Sequence, residues 1–100
     1  MTKYDRVVQE LEEKGISKMR VFGNSMTPIL KSGSLLTFQK CDNYEVGDVV
    51  ICKVSGRWID AHKITKKSER GYLISNNHGW DNGWTKKVFG KVIEIEAPKK

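Results

Sequence analysis

A chain of 100 residues with a formal net charge of +6, 38% hydrophobic and 30% charged residues has the composition of an ordinary globular protein and room for one small domain. It contains no apolar run long enough to span a bilayer and no secretory leader pattern at its start, so a membrane anchor is not expected and a reduced, cytoplasmic setting is. Its 18 Lys and Arg residues are scattered from Lys3 to Lys100, with short pairs only at Lys66-Lys67, Lys86-Lys87 and Lys99-Lys100. No helix-turn-helix segment fits ahead of Met19, so a solvated basic surface is the favoured reading and a nucleic-acid partner the lesser one.

Taken in chain order, Thr2 to Lys14 reads as a helix, because Tyr4, Val7, Val8 and Leu11 fall on one face at helical spacing. Thr2 is placed to cap it, Asp5 to complete the cap and Gly15 to end it. Met19 to Phe22 reads as a strand leading into Gly23-Asn24-Ser25-Met26-Thr27-Pro28-Ile29-Leu30. In that stretch Gly23 is permissive and Pro28 biases Thr27 away from helix, which would hold the Ser25 hydroxyl on a constrained turn, as a nucleophile requires.

After a turn at Lys31-Ser34, strands are expected at Leu35–Phe38 and Val49–Val54, the second β-branched and buried. Ser55-Gly56 connects it as a hairpin to Arg57–Ile64, where strict alternation would place Trp58, Asp60, His62 and Ile64 on one face and Ile59, Ala61 and Lys63 on the other. Thr65 to Gly71 reads as a charged turn, Tyr72–Ser75 as a strand, Asn76 to Trp84 as a polar loop, and Val88–Ile95 as the closing strand. Cys41 and Cys52 lack C-x-x-C spacing or a neighbouring His/Cys cluster. Cys52 is read as core and Cys41 as a loop-edge thiol, and neither a metal nor a cofactor is implied.

These elements make a mainly β fold with one N-terminal helix, a small coiled or barrel-like antiparallel sheet. A single domain is expected over residues 1–100, with the helix in 1–15, the β core in 19–95 and a tail in 96–100.

The stretch Gly23 to Leu30 resembles the G-x-S-M-x-P-x-L signature of the type I signal peptidase and LexA/UmuD-like peptidase superfamily. Gly33, Val46-Gly47-Asp48-Val49-Val50, Ala61-His62-Lys63-Ile64 and Gly90-Lys91-Val92 resemble its later motifs in the same order, so the likeness runs from about Met19 to Ile95. It implies the coiled β fold of that superfamily and a serine peptidase acting on a peptide or protein substrate, with Ser25 as nucleophile. Where the superfamily usually has Gly-Asp, this chain has Gly33-Ser34. Where most members have a lysine base, it has His62, as in the endoplasmic-reticulum-type and archaeal signal peptidases. A lysine must lose about 4 kcal/mol of preference for its charged form to act as a base at neutral pH, whereas an ordinary histidine is already largely neutral there.

The resemblance makes Asp81 the candidate third catalytic group, with Asp60 a rival read from the strand pattern and Lys63 the competing base. An oxyanion hole would be made by the backbone N–H groups of Ser25 and Met26, since Gly23 stands where bacterial signal peptidases have an additional serine. LexA-like self-cleavage needs an Ala-Gly or Cys-Gly bond upstream of the serine, and none precedes Ser25, so cleavage in trans is expected. The region ahead of Met19 is too short for the DNA-binding domain of the LexA-like repressors. The rival to catalysis is a silent fold of this type that captures a protein partner through Trp58, Trp80 and Trp84.

Overall fold

The computed structural model describes residues 2–23 and 30–98. It opens with helix α1 (Lys3–Lys14), bounded by a full capping box. Thr2 Oγ1 accepts from the Asp5 backbone, the Asp5 carboxylate accepts from the Thr2 backbone, and Gly15 closes the last turn in the left-handed conformation at φ 78°. The Thr2 hydrogen bonds hold the Asp5 carboxyl below its ordinary pKa. The helix buries Val7 and Leu11 completely, as its spacing requires.

Seven strands follow: β1 (Ile16–Arg20), β2 (Leu35–Gln39), β3 (Val49–Val54), β4 (Arg57–Ser68), β5 (Gly71–Ser75), β6 (Asp81–Thr85) and β7 (Val88–Glu96). They form one antiparallel sheet in the order β1-β2-β7-β3-β4-β5-β6. The fold is therefore mainly β with one N-terminal helix, as the sequence pattern indicates.

Several element boundaries differ from the sequence expectation. The first strand starts at Ile16, so that Ser17 and Met19 alternate inward, and it ends before Val21, whose backbone turns to bond Ser34 and Gly33 at 2.9 and 2.7 Å. The charged segment from Thr65 is no turn. It continues β4 to Ser68, because Lys66 and Lys67 find partners in Leu73 and Tyr72 on β5 while their heads stay in water. The polar stretch before Trp84 contains β6, whose low β propensity is overridden by pairing with β5.

The sheet curls, and two buried clusters lie on its opposite faces. One joins α1 to the sheet through Val7, Leu11, Leu36, Phe38, Ile51 and Ala61, and the other gathers Tyr44, Val50, Cys52, Val54, Ile64 and Ile74. The curl brings β6 back toward β3, where Thr85 Oγ1 donates to the Lys53 carbonyl at 2.6 Å and Gly83 lies against Val54. Gly90 lets the helix come close on β7, since a side-chain carbon there would sit 3.1 Å from Leu11 Cδ1.

Candidate functional site

The geometry of the site is set by one irregularity in β4. Val50 pairs with His62 and Cys52 with Ile59, so β4 carries one more residue than β3 between these pairs. Such a bulge reverses the alternation beyond it. Cross-strand partners share a face, so Arg57, Ile59, His62 and Ile64 line up with Val54, Cys52 and Val50 on the face of the second cluster. Ala61 packs in the first cluster, and Lys63 pairs with Val49, which packs against it. The expected grouping of Trp58, Asp60, His62 and Ile64 on one face is thereby corrected. Trp58 lies on the helix side, its ring stacked on Tyr4 at 5.4 Å and packed on Phe89 at 5.4 Å.

His62 is half-buried, and its Nδ1 lies 2.7 Å from Asn82 Oδ1. An amide oxygen can only accept, so this contact places the proton of the neutral ring on Nδ1 and leaves the Nε2 lone pair as the basic position. Asn82 is itself an extra residue: Ser75 pairs with Asp81 and Ile74 with Gly83, which leaves Asn82 as a bulge in β6. Both members of the pair are thus aimed by a departure from regular pairing, which no periodicity in the sequence announces.

Asp81, expected to orient the imidazole, is directed elsewhere. In register opposite Ser75, it accepts from Ser75 Oγ at 2.6 Å, and Ser75 in turn meets Thr65 Oγ1 at 2.9 Å. The oxygen facing His62 belongs to its neighbour, Asn82. Asp60, the rival, lies in the bulge itself and lines a shallow crevice with Gly23, Leu30 and Ala61. Lys63 reaches toward Asn77, with Nζ 3.4 Å from Asn77 Oδ1.

Ser25 and Met26, and with them the nucleophile and oxyanion hole expected from the sequence, fall in 24–29, outside the described residues. The residues that bound this stretch, Gly23 and Leu30, are in the crevice with Asp60 and Ala61, the two residues that precede His62 in the chain.

A larger cavity of about 350 Å³ opens on the His62 face and is lined by Val54, Ser55, Arg57, Ile59, Trp80 and Asn82. The turn that carries Trp80 is braced by Asn76, whose Oδ1 accepts from the backbones of His78 and Trp80 at 2.8 and 2.9 Å, while the Asn76 N–H donates to the Trp80 carbonyl. Trp80 stands 71% exposed at its tip. The three tryptophans do not form one surface, since Trp58 is locked between the helix and β7 while Trp84 is half-buried opposite Leu73.

Cys52 is buried and Cys41 half-buried, both as free thiols. Burial, and secondarily the charge of Asp60, pushes the Cys52 thiol up to about 12, so it is no nucleophile. Among the described residues no three His, Cys, Asp or Glu side chains gather to hold a metal ion, and no helix is long and apolar enough to cross a membrane.

A search of curated proteins finds no match to this chain. Its sequence does match the family model described as Peptidase S24-like over residues 4–93, a span that takes in all of α1 but Lys3, every strand through β6 and most of β7. The order of the motifs, the curled antiparallel sheet and this nearly full-length match agree, and the chain belongs to the Peptidase S24-like family, the LexA/UmuD-like group of serine peptidase-like domains.

Proposed function

We propose that this protein is a serine peptidase that cleaves a peptide or protein substrate in trans, with Ser25 as nucleophile and His62 as general base. The observation that carries the reading is the 2.7 Å contact between His62 Nδ1 and Asn82 Oδ1. It leaves Nε2 as the ring's acceptor, the state in which an imidazole can take a hydroxyl proton. Ser25 is two residues from Gly23, which shares with Ala61, the chain neighbour of His62, a crevice on the face of the first cluster. His62 lies on the other face, so the pairing requires the chain that bears Ser25 to meet it round the edge of β4 that β5 leaves unpaired.

In the reaction, Ser25 Oγ attacks the scissile carbonyl carbon while its proton passes to His62 Nε2, and the carbonyl π electrons move onto oxygen. Backbone N–H groups at Ser25 and Met26 would hold that oxyanion. Collapse expels the amine, which takes the proton from His62 and leaves an acyl-serine. Water, deprotonated by the same ring, hydrolyses the ester. Asn82 is a positioning residue in this scheme: it holds the ring and its tautomer without adding a charge.

An extended substrate has a backbone to pair with. β5 takes up β4 only from Lys63 onward, so among the described strands Arg57 to His62 is paired on the β3 side alone. A peptide laid along that free edge would pass the imidazole.

A fluorophosphonate probe that esterifies activated serines tests the proposal. The expected outcome is stoichiometric labelling of the full chain at Ser25, lost in Ser25→Ala and reduced by at least about a hundredfold in rate in His62→Ala, with Lys63→Ala close to wild type. Absence of labelling in folded wild-type protein defeats the proposal. Loss of labelling in Lys63→Ala with His62→Ala unaffected would move the base to Lys63.

A further inference from the structure

The cavity beside His62 has a chemical character that the proposed peptide cleavage does not require. Its floor is apolar, from Val54 and Ile59, and one wall is the exposed indole of Trp80. The only charged group in its lining is Arg57, and no carboxylate accompanies it. Among the described residues the ion pairs are Arg6 with Glu10 and Lys67 with Glu45, so no described carboxylate forms an ion pair with Arg57. A guanidinium beside an aromatic face and an apolar floor suits a carboxylate whose aliphatic stem lies on the ring.

The cavity is tied to the reaction centre in two ways. Asn82 belongs both to its lining and to the His62 contact, and the bulge in β4 puts Arg57, Ile59 and His62 on one face. Its walls are fixed in place: Asn76 braces the Trp80 turn, and the hairpin bearing Arg57 is tied to the end of β6 by the Thr85 bond to Lys53. Strand residues advance about 3.3 Å each, so a substrate running along the edge of β4 would set a side chain over Ile59 and Arg57 two to four residues from the bond at His62.

Building on the peptidase reading, we infer that this cavity is a specificity subsite for an acidic side chain, Glu or Asp, two to four residues from the scissile bond. Arg57 binds the carboxylate and Trp80 covers its stem. The net charge of +6 acts in the same direction by drawing acidic segments toward the protein.

Two measurements on the full chain test this, the second independently of turnover. In the first, a synthetic peptide library is digested and the cleavage sites are mapped by mass spectrometry. Glu and Asp should be enriched at one position within four residues of the cut, Arg57→Ala should erase the enrichment without abolishing cleavage of non-acidic peptides, and Arg57→Glu should replace it by Lys and Arg. Cleavage with no acidic preference overturns the subsite and leaves the peptidase intact.

In the second measurement, fluorescein-labelled peptides that differ only by Glu or Lys at that distance are titrated by anisotropy against Ser25→Ala protein, in which no cleavage intervenes. The Glu peptide should bind about fivefold tighter, the scale of a partly exposed charge pair, and Arg57→Ala and Trp80→Ala should each remove the difference. Equal binding of the two peptides overturns the inference whether or not the wild-type protein cleaves. Absence of probe labelling at Ser25 alongside a retained Glu preference would remove the peptidase reading and keep the acidic-peptide site.

Discussion

The proton at His62 Nδ1 is directed by a neutral amide, and this separates positioning from charge. Asn82→Ala removes the acceptor and should lower probe labelling of Ser25 at every pH by roughly tenfold to a hundredfold. Asn82→Asp keeps an acceptor and adds a charge that favours the protonated ring, so the acid limb of the pH–rate profile should move to higher pH. A merely structural Asn82 would leave that limb in place. The cysteines give a second test at this scale. Cys52 is 0% exposed with its thiol pushed up to about 12 from an ordinary 9.0, by burial first and by Asp60 second. Because the native state holds this proton more tightly than the unfolded chain, the contribution to stability is complete below pH 9 and is lost as pH rises toward 12. Titration with a thiol reagent at pH 8 should therefore count one reactive cysteine in the folded protein, Cys41, and two after denaturation. Reaction of both in the native state would contradict the burial of Cys52.

Among the elements, α1 shows how much a sequence can display when local rules and tertiary packing agree. Its cap, spacing and stop are all written within 14 residues, from Thr2 to Gly15. β3 is equally visible, since Val49-Val50-Ile51 is a β-branched run that Val54 resumes, and the strand pairs on both sides. β6 is not visible: Asp81-Asn82-Gly83 has turn chemistry, and only β5 makes it a strand. The site suffers in the same way. His62 can be singled out by its motif, but the partner it meets depends on two bulges and on the curl that returns β6 to β3, none of which leaves a trace in a period-two pattern. An Asn at a bulge looks like any Asn in a loop. The tight β4–β5 turn supplies the prediction at this scale. Gly71 has φ 105°, and a side-chain carbon there would lie 2.3 Å from the Thr85 carbonyl oxygen. Gly71→Ala should cost about 2 kcal/mol and lower Tm by about 10 °C. A Tm within about 2 °C of wild type would show that the turn tolerates what this packing forbids.

At the scale of the molecule, two buried clusters on opposite faces of one curled sheet divide the labour. Both are tightly buried, but the helix-side cluster, with Leu11 and Phe38 at its centre, stands apart from the cavity and His62, which lie on the other face. Leu11→Ala should thus cost about 2–5 kcal/mol, a large part of what a domain of this size possesses. If the protein survives at low temperature, the cleft should stay intact, with probe labelling per folded molecule unchanged while the urea midpoint falls. Labelling that declines in step with no loss of stability would mean that the helix acts on the chemistry directly. The bulge in β4 has a consequence for how such a protein can diversify. Imidazole and amine stand on adjacent residues, and the register of one hairpin selects which of them looks into the cleft. A lineage can therefore exchange which of the two, imidazole or amine, faces the cavity by gaining or losing a single residue near Ala61, with both side chains retained.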